Sequence, residues 1–191
     1  MRRVVILGTS GAGKSTLACR LSAKLGVPHV ELDALHWEAN WTEAPTDVRL
    51  ARVRAAVSQD GWVISGNYLS LRDVVWPRAD TLIWLDYPMG LVMWRVMVRS
   101  IRRCVTREPL WAGNVETWRK TFFSSDSIIV WSWTTWRKQR KSLPKAMRAK
   151  EYAKLRKFRF TSPRQAEAWL NGILVRQPPA HHSEPISGMI Y

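Results

Sequence analysis

The sequence predicts an α/β fold on a parallel sheet, and three observations carry that expectation. Short branched apolar runs, Val4-Val5-Ile6-Leu7, Trp62-Val63-Ile64 and Thr81-Leu82-Ile83-Trp84-Leu85, lack polar alternation and read as strands buried on both faces. Segments with helical spacing separate them, so strands and helices alternate. The first run also leads directly into Gly8-Thr9-Ser10-Gly11-Ala12-Gly13-Lys14-Ser15, a glycine-rich turn that opens a helix.

The elements follow in order. Residues 2–8 form the first strand. From Lys14 to Leu25 the apolar positions Leu17, Ala18, Leu21 and Leu25 recur at three and four, and Gly26 stops the helix. Pro28 to Leu32 reads as the second strand. Asp47 can cap a helix from Val48 to Ser58, with Val53 and Val57 on its inner face. Asp60-Gly61 turns the chain into the third strand at Trp62. A short helix over Leu71–Trp76 is closed by Pro77, and Thr81–Leu85 is the fourth strand. Gly90 to about Thr106 is a strong helix. The stretch 107–145 is basic and aromatic, with helical pieces. Ala146–Arg156 reads as helix, Lys157–Thr161 as the fifth strand, and Ser162-Pro163 caps a last helix through Leu170. Right-handed crossovers reduce the topology to a few doubly wound orders. Residues 1–175 make one domain and 176–191 a polar C-terminal tail.

Composition excludes several classes. The 191 residues are 46% hydrophobic, enough for a core, so a disordered chain is ruled out. Cys19 and Cys104 are too few for a disulfide framework and too far apart for a zinc site. No apolar run approaches the roughly 18 residues that cross a bilayer, and the apolar start is too short for a signal peptide. No membrane partner and a cytoplasmic location are expected. Of the net charge of +15, residues 91–160 carry nearly all, with 18 Lys/Arg against 4 Asp/Glu. That segment also holds most of seven tryptophans between residues 80 and 140, and must face phosphates, nucleic acid or an acidic surface.

The run Gly8–Ser15 satisfies G-x-x-x-x-G-K-[ST] without a mismatch, between a buried strand and a helix. Backbone N–H groups of Gly8, Thr9, Ser10, Gly11, Ala12 and Gly13, with the helix N-terminus, surround an anion. Lys14 adds a point charge for the outer phosphates, Ser15 a hydroxyl for Mg²⁺, and Thr16 lies near the phosphate closest to the base.

With this loop and the motifs below, the chain resembles the adenylate-kinase-related branch of phosphate-loop proteins, which includes kinases for nucleotides, shikimate and gluconate. More narrowly, over roughly residues 2–172, it is similar to the bacterial adenylate-kinase-like proteins labelled "topology modulation protein". The resemblance implies a five-stranded parallel sheet, ATP and Mg²⁺ as ligands, and a basic lid over approximately residues 99–145.

Glu31-Leu32-Asp33-Ala34-Leu35-His36 follows the second strand. Two residues apart on an extended segment, Glu31 and Asp33 share a face. The run is similar to the acid-x-Asp-x-Leu-His segment of gluconate kinases and the paired acids of shikimate kinases. That likeness makes Asp33 the candidate base and Glu31 a magnesium-side acid. His36 is a candidate for the acceptor pocket. Ser65-Gly66-Asn67-Tyr68 stands where adenylate kinases carry Asp-Gly-Phe-Pro-Arg. Gly66 permits close approach of substrate, Asn67 can hydrogen-bond a ligand, and Arg72 is a candidate anion clamp whose alternative is a surface pair with Asp73 or Asp80.

After Asp86-Tyr87-Pro88, Arg95 and Arg99 stand at the offsets of two lid arginines of adenylate kinases. Arg95, Arg99, Arg102 and Arg103 share one helical face and repel one another unless an anion intervenes. Arg137, Lys138, Arg140 and Lys141 are placed to close over the same phosphates, and Trp111, Trp118, Trp131, Trp133 and Trp136 to pack the lid. The reading is an ATP-dependent kinase of a small acceptor. The competing class is a nucleic-acid-associated ATPase, or a polynucleotide-end kinase, using the basic Trp-rich segment.

Overall fold

A computed structural model describes residues 1–122 and 127–174. Strands β1 (Arg3–Gly8), β2 (His29–Glu31), β3 (Trp62–Ser65), β4 (Thr81–Leu85) and β5 (Arg156–Phe160) form one parallel sheet in the order β2-β3-β1-β4-β5. The five-stranded α/β expectation holds. The tail at 176–191 lies outside the described residues.

Alternation along the central strands divides the core in two. Val4, Ile6, Val63, Ile83 and Leu85 face α1 (Lys14–Leu25) through Leu17, Ala18 and Leu21. Val5, Leu7, Ile64, Leu82 and Trp84 face the opposite side, where Val53 and Val57 of a second long helix (Thr46–Val57) pack. Strands covered on both faces need no polar positions, which is why these runs read as continuously apolar.

In chain order the other helices are α2 (Leu32–His36), α3 (Thr46–Val57, just described), α4 (Arg72–Val75), α5 (Met89–Thr106), α6 (Trp118–Phe122), α7 (Ile128–Arg148) and α8 (Pro163–Asn171). Three boundaries differ from the sequence reading. The chain leaves the sheet at Glu31 and turns helical at Leu32, so Asp33 and His36 lie on α2 and not on an extended segment. Pro45 precedes α3, and Asp47 sits in its first turn instead of capping it. The helix expected over Ala146–Arg156 is the end of α7 plus one separate turn, Lys150–Tyr152, because α7 stops at Arg148.

The basic segment folds around a buried acid. Asp86, just past β4, accepts from Arg140 Nε of α7 at 2.8 Å and from Arg159 Nε of β5 at 3.0 Å. Each guanidinium lies against an indole, Arg140 at 4.5 Å from Trp136 and Arg159 at 4.8 Å from Trp84. Arg140 therefore ties α7 to the sheet, where its sequence position suggested a phosphate. Trp111 and Trp136 pack as expected, but Trp118, Trp131 and Trp133 remain about half exposed and Trp94 more so. Asp86→Asn should destabilise the protein by about 1.5–3 kcal/mol, through loss of two charge-assisted bonds, as measured by urea unfolding. An unchanged midpoint would show that α7 is held by other contacts.

Candidate phosphate and acceptor site

β1 delivers Gly8 to the mouth of the sheet, and the loop that follows is fixed from three sides. Asn67, at the exit of β3, accepts from the Gly8 N–H at 3.0 Å and donates from Nδ2 to the Gly8 carbonyl. Thr9 is buried and donates to Gln139 Oε1 of α7 at 3.3 Å. Gly11 packs against α5, with a φ of +82°. A Cβ there would meet Val96 Cγ2 at 2.6 Å and the Val92 carbonyl at 2.7 Å. No side chain caps α1, whose first turn begins at Gly13, so its N–H groups stay available to an anion.

Two cations converge on this loop. Lys14 Nζ donates to the Thr9 carbonyl at 3.2 Å, and Arg99 Nη2 of α5 donates to Ser10 Oγ at 2.8 Å. Neither forms an ion pair with a carboxylate among the described residues, and Arg99 Nε is buried without a partner there. Loss of water pushes the Lys14 ammonium down to about 8, partly offset by Asp33 and Glu31. Burial, with Arg103 close by, lowers Arg99 as well. Arg95 reaches the same rim. A Cβ at Gly13 would lie 3.7 Å from its Nη1, and its guanidinium sits over Tyr87 at 5.8 Å. Thr16 is exposed in the first turn of α1.

The acids stand opposite. The Ser15 hydroxyl donates to Glu31 Oε1, while Trp111 Nε1, from the segment after α5, donates to Glu31 Oε2 at 3.0 Å. Asp33 Oδ1 accepts from the Tyr68 hydroxyl at 2.8 Å, and burial together with that carboxylate raises the phenol's pKa. Oxygen donors of Ser15 and Glu31 suit a hard cation bridged to phosphates. Among the described residues no group of three or more His, Cys, Asp or Glu side chains is placed to hold a metal ion.

The remaining sequence candidates make contacts within the chain. Asn67 spends both halves of its amide on Gly8. Gly66, with φ +152°, lets Leu32 approach: a Cβ would lie 2.7 Å from Leu32 Cβ. His36 is buried behind Asp33, with its ring 4.8 Å from Tyr68 and its Nδ1 2.8 Å from Arg49 Nη1. Loss of water keeps this imidazole neutral to lower pH than usual. Arg72 pairs with Asp73 at 3.1 Å and sits over Trp76 and Tyr152, the surface pair that the sequence offered as its alternative.

Sequence reasoning missed a clasp. The chain bridges back antiparallel at Trp37–Glu43 and again at Pro109–Val115, making two small hairpins. Asn114 joins them, donating to the Glu38 carbonyl and accepting from the Trp41 N–H, each at 2.8 Å. Trp41 Nε1 donates to the Val115 carbonyl at 3.2 Å. Beside them Arg103 pairs with Glu116 at 3.0 Å, both nearly buried. Asn114 and Glu116 lack any short motif; only the repeated Trp-containing turns hint at the pairing.

No protein-family model matches the chain. Its sequence is 28% identical over 130 residues to the uncharacterized protein YqaC of Bacillus subtilis, covering 66% of this chain and 72% of that protein. Among solved structures it is similar to a shikimate kinase from Bacteroides thetaiotaomicron, with a TM-score of 0.50, 16% identity and coverage of 89% and 94% of the two chains. A gluconokinase from Sinorhizobium meliloti gives a TM-score of 0.49 at 18% identity, covering 89% and 91%. The chain has the phosphate-loop NTPase fold. No helix among the described residues is long and apolar enough to cross a membrane.

The Lys14 shift has a measurable sign. Between about 8 and the ordinary 10.5, the unfolded chain keeps a proton that the folded chain has released, so this lysine adds stability as pH rises through that window. Lys14→Met should therefore be more stable than the parent near pH 7, with the gap closing by about pH 10. A gap in urea unfolding that does not change with pH would contradict the dehydrated lysine.

Proposed function

We propose that the protein is an ATP-dependent kinase that transfers the γ-phosphate to a small acceptor, a nucleotide or a small hydroxy compound. The observation that carries this reading is the convergence of Lys14 and Arg99, two partly dehydrated cations without carboxylate partners among the described residues, on a glycine-rich loop that faces Asp33. A polyphosphate relieves both.

ATP would lie with its phosphates in the loop Gly8–Ser15, and Arg95 at the rim. Mg²⁺, held by Ser15 with Glu31 behind it, would screen the β- and γ-phosphate oxygens. Asp33 orients the acceptor hydroxyl and takes its proton. The acceptor oxygen bonds to the γ-phosphorus, the bond from that phosphorus to the bridging oxygen breaks, and ADP leaves. Lys14 and Arg99 stabilise the charge on the group in transfer. Were the acceptor itself a phosphate, Asp33 would serve binding and not proton removal.

The half-exposed Trp131 and Trp133, with Arg137 at 5.1 Å from the Trp133 ring, favour a nucleic-acid surface as the second reading. Against it, Arg102, Arg103 and Arg140 are already paired with carboxylates within the chain. DNA binding should then be weak and suppressed by an ATP analogue. A slope near roughly −4 to −5 in log K against log salt, unaffected by the analogue, would favour the second reading.

Asp33→Asn should lower kcat by about 100-fold with ATP affinity retained, measured by ADP release with any acceptor that proves active. Full turnover in this variant would remove Asp33 from the chemistry. Replacing Arg95 and Arg99 together should cost transfer far more than DNA binding.

A further inference from the structure

The acceptor side of the site differs in charge from its phosphate side. Lys14, Arg99 and the rim residue Arg95 form no ion pair among the described residues, whereas the arginines on the acceptor side are already matched. Arg103 faces Glu116, Arg49 faces His36 and Glu43, Arg52 faces Glu38, and Arg72 faces Asp73. Glu31 and Asp33 add two further carboxylates. An acceptor carrying its own phosphate or carboxylate would meet Glu31, Asp33 and arginines that already hold carboxylates. It would have to break an ion pair first, at a cost in desolvated charge.

The Arg103–Glu116 pair is also incompletely satisfied. Its single bond joins Arg103 Nη1 to Glu116 Oε1, leaving Arg103 Nε and Glu116 Oε2 buried with no partner among the described residues. One is a donor and the other an acceptor. Buried polar atoms in this state are costly unless a ligand or water fills them. A hydroxyl group matches both requirements, since it accepts from Arg103 Nε and donates to Glu116 Oε2. A carboxylate or phosphate can accept from the first but is repelled by the second. The pair belongs to this site. Arg103 lies one turn beyond Arg99, and the Arg99 guanidinium responds to Arg103, Glu116, Asp33 and Glu31 together. Glu116 follows the hairpin whose Trp111 donates to Glu31.

We propose, resting on the kinase reading above, that the acceptor is an uncharged polyhydroxy compound of the sugar or polyol class, read by the Arg103–Glu116 pair. One hydroxyl is oriented by Asp33 for transfer, and another bridges Arg103 Nε and Glu116 Oε2. Both unfilled atoms are buried, so the hydroxyl reaches them only when the side chains around the pair move aside. The pair is then a specificity determinant that keeps anionic acceptors out.

The test measures ADP release at fixed Mg·ATP with two groups of probes. One contains neutral hexoses, pentoses and their alditols; the other contains sugar acids, shikimate and nucleoside monophosphates. A neutral probe should give a kcat/KM at least 10-fold above every anionic one. Glu116→Gln, which frees the charge of Arg103, should shift the anionic-to-neutral ratio of kcat/KM upward by about 10-fold while ATP affinity stays the same. An anionic probe preferred by the parent protein, or a ratio unmoved by Glu116→Gln, overturns the inference and leaves the kinase reading standing. ATP bound but transferred to no probe overturns both, and failure to bind ATP removes the kinase reading at its root.

Discussion

The constraint on which the rest depends is positive charge held out of water. A lysine and an arginine partly withdrawn from water, with no carboxylate paired to them among the described residues, cost folding free energy that a bound anion would restore. Here the cost is located by geometry. Lys14 stands at the start of α1, where unpaired N–H groups already favour negative charge, and Arg99 reaches in from α5 to the same loop. Everything packed around the loop serves to keep those two side chains in place, including Gly11 pressed on Val92 and Val96.

Acids elsewhere in the chain organise the remaining basic charge. Asp86 gathers Arg140 and Arg159, Glu116 takes Arg103, and Glu108 takes Arg102. A segment that looks from its composition like a continuous basic surface is thus divided. Part of it holds the lid to the sheet, part faces the loop, and the outer helices keep lysines and half-exposed indoles in solvent. Two contacts join the basic segment to the loop and its acid: Thr9 with Gln139, and Glu31 with Trp111.

The sheet and the phosphate loop were legible because their signals are local. Apolar runs such as Thr81–Leu85 and the spacing from Gly8 to Ser15 need no partner elsewhere in the chain to be recognised. Asp33 and Glu31 were legible as a pair, although α2 begins between them and the shared strand face does not form. Long-range pairings were hidden. Nothing near Asn67 signals that its amide is spent on Gly8, 59 residues earlier, and nothing near Arg140 signals Asp86, 54 residues before it. Arg72 is the local case: its neighbour Asp73 was visible in sequence as a partner, and that pair forms. Asn114 and Glu116 act only through the meeting of two hairpins, which no single-chain pattern encodes.

The central claim is that the loop and its two dehydrated cations form a nucleoside triphosphate site. Calorimetric titration of Mg·ATP into the full chain and into Lys14→Ala, each checked for an unchanged far-UV spectrum, tests it most directly. The account predicts saturable one-to-one binding to the parent and an affinity at least about 10-fold weaker in the variant, equivalent to about 1.4 kcal/mol or more. Equal affinity in a folded Lys14→Ala protein, or no binding to the parent at all, would contradict it.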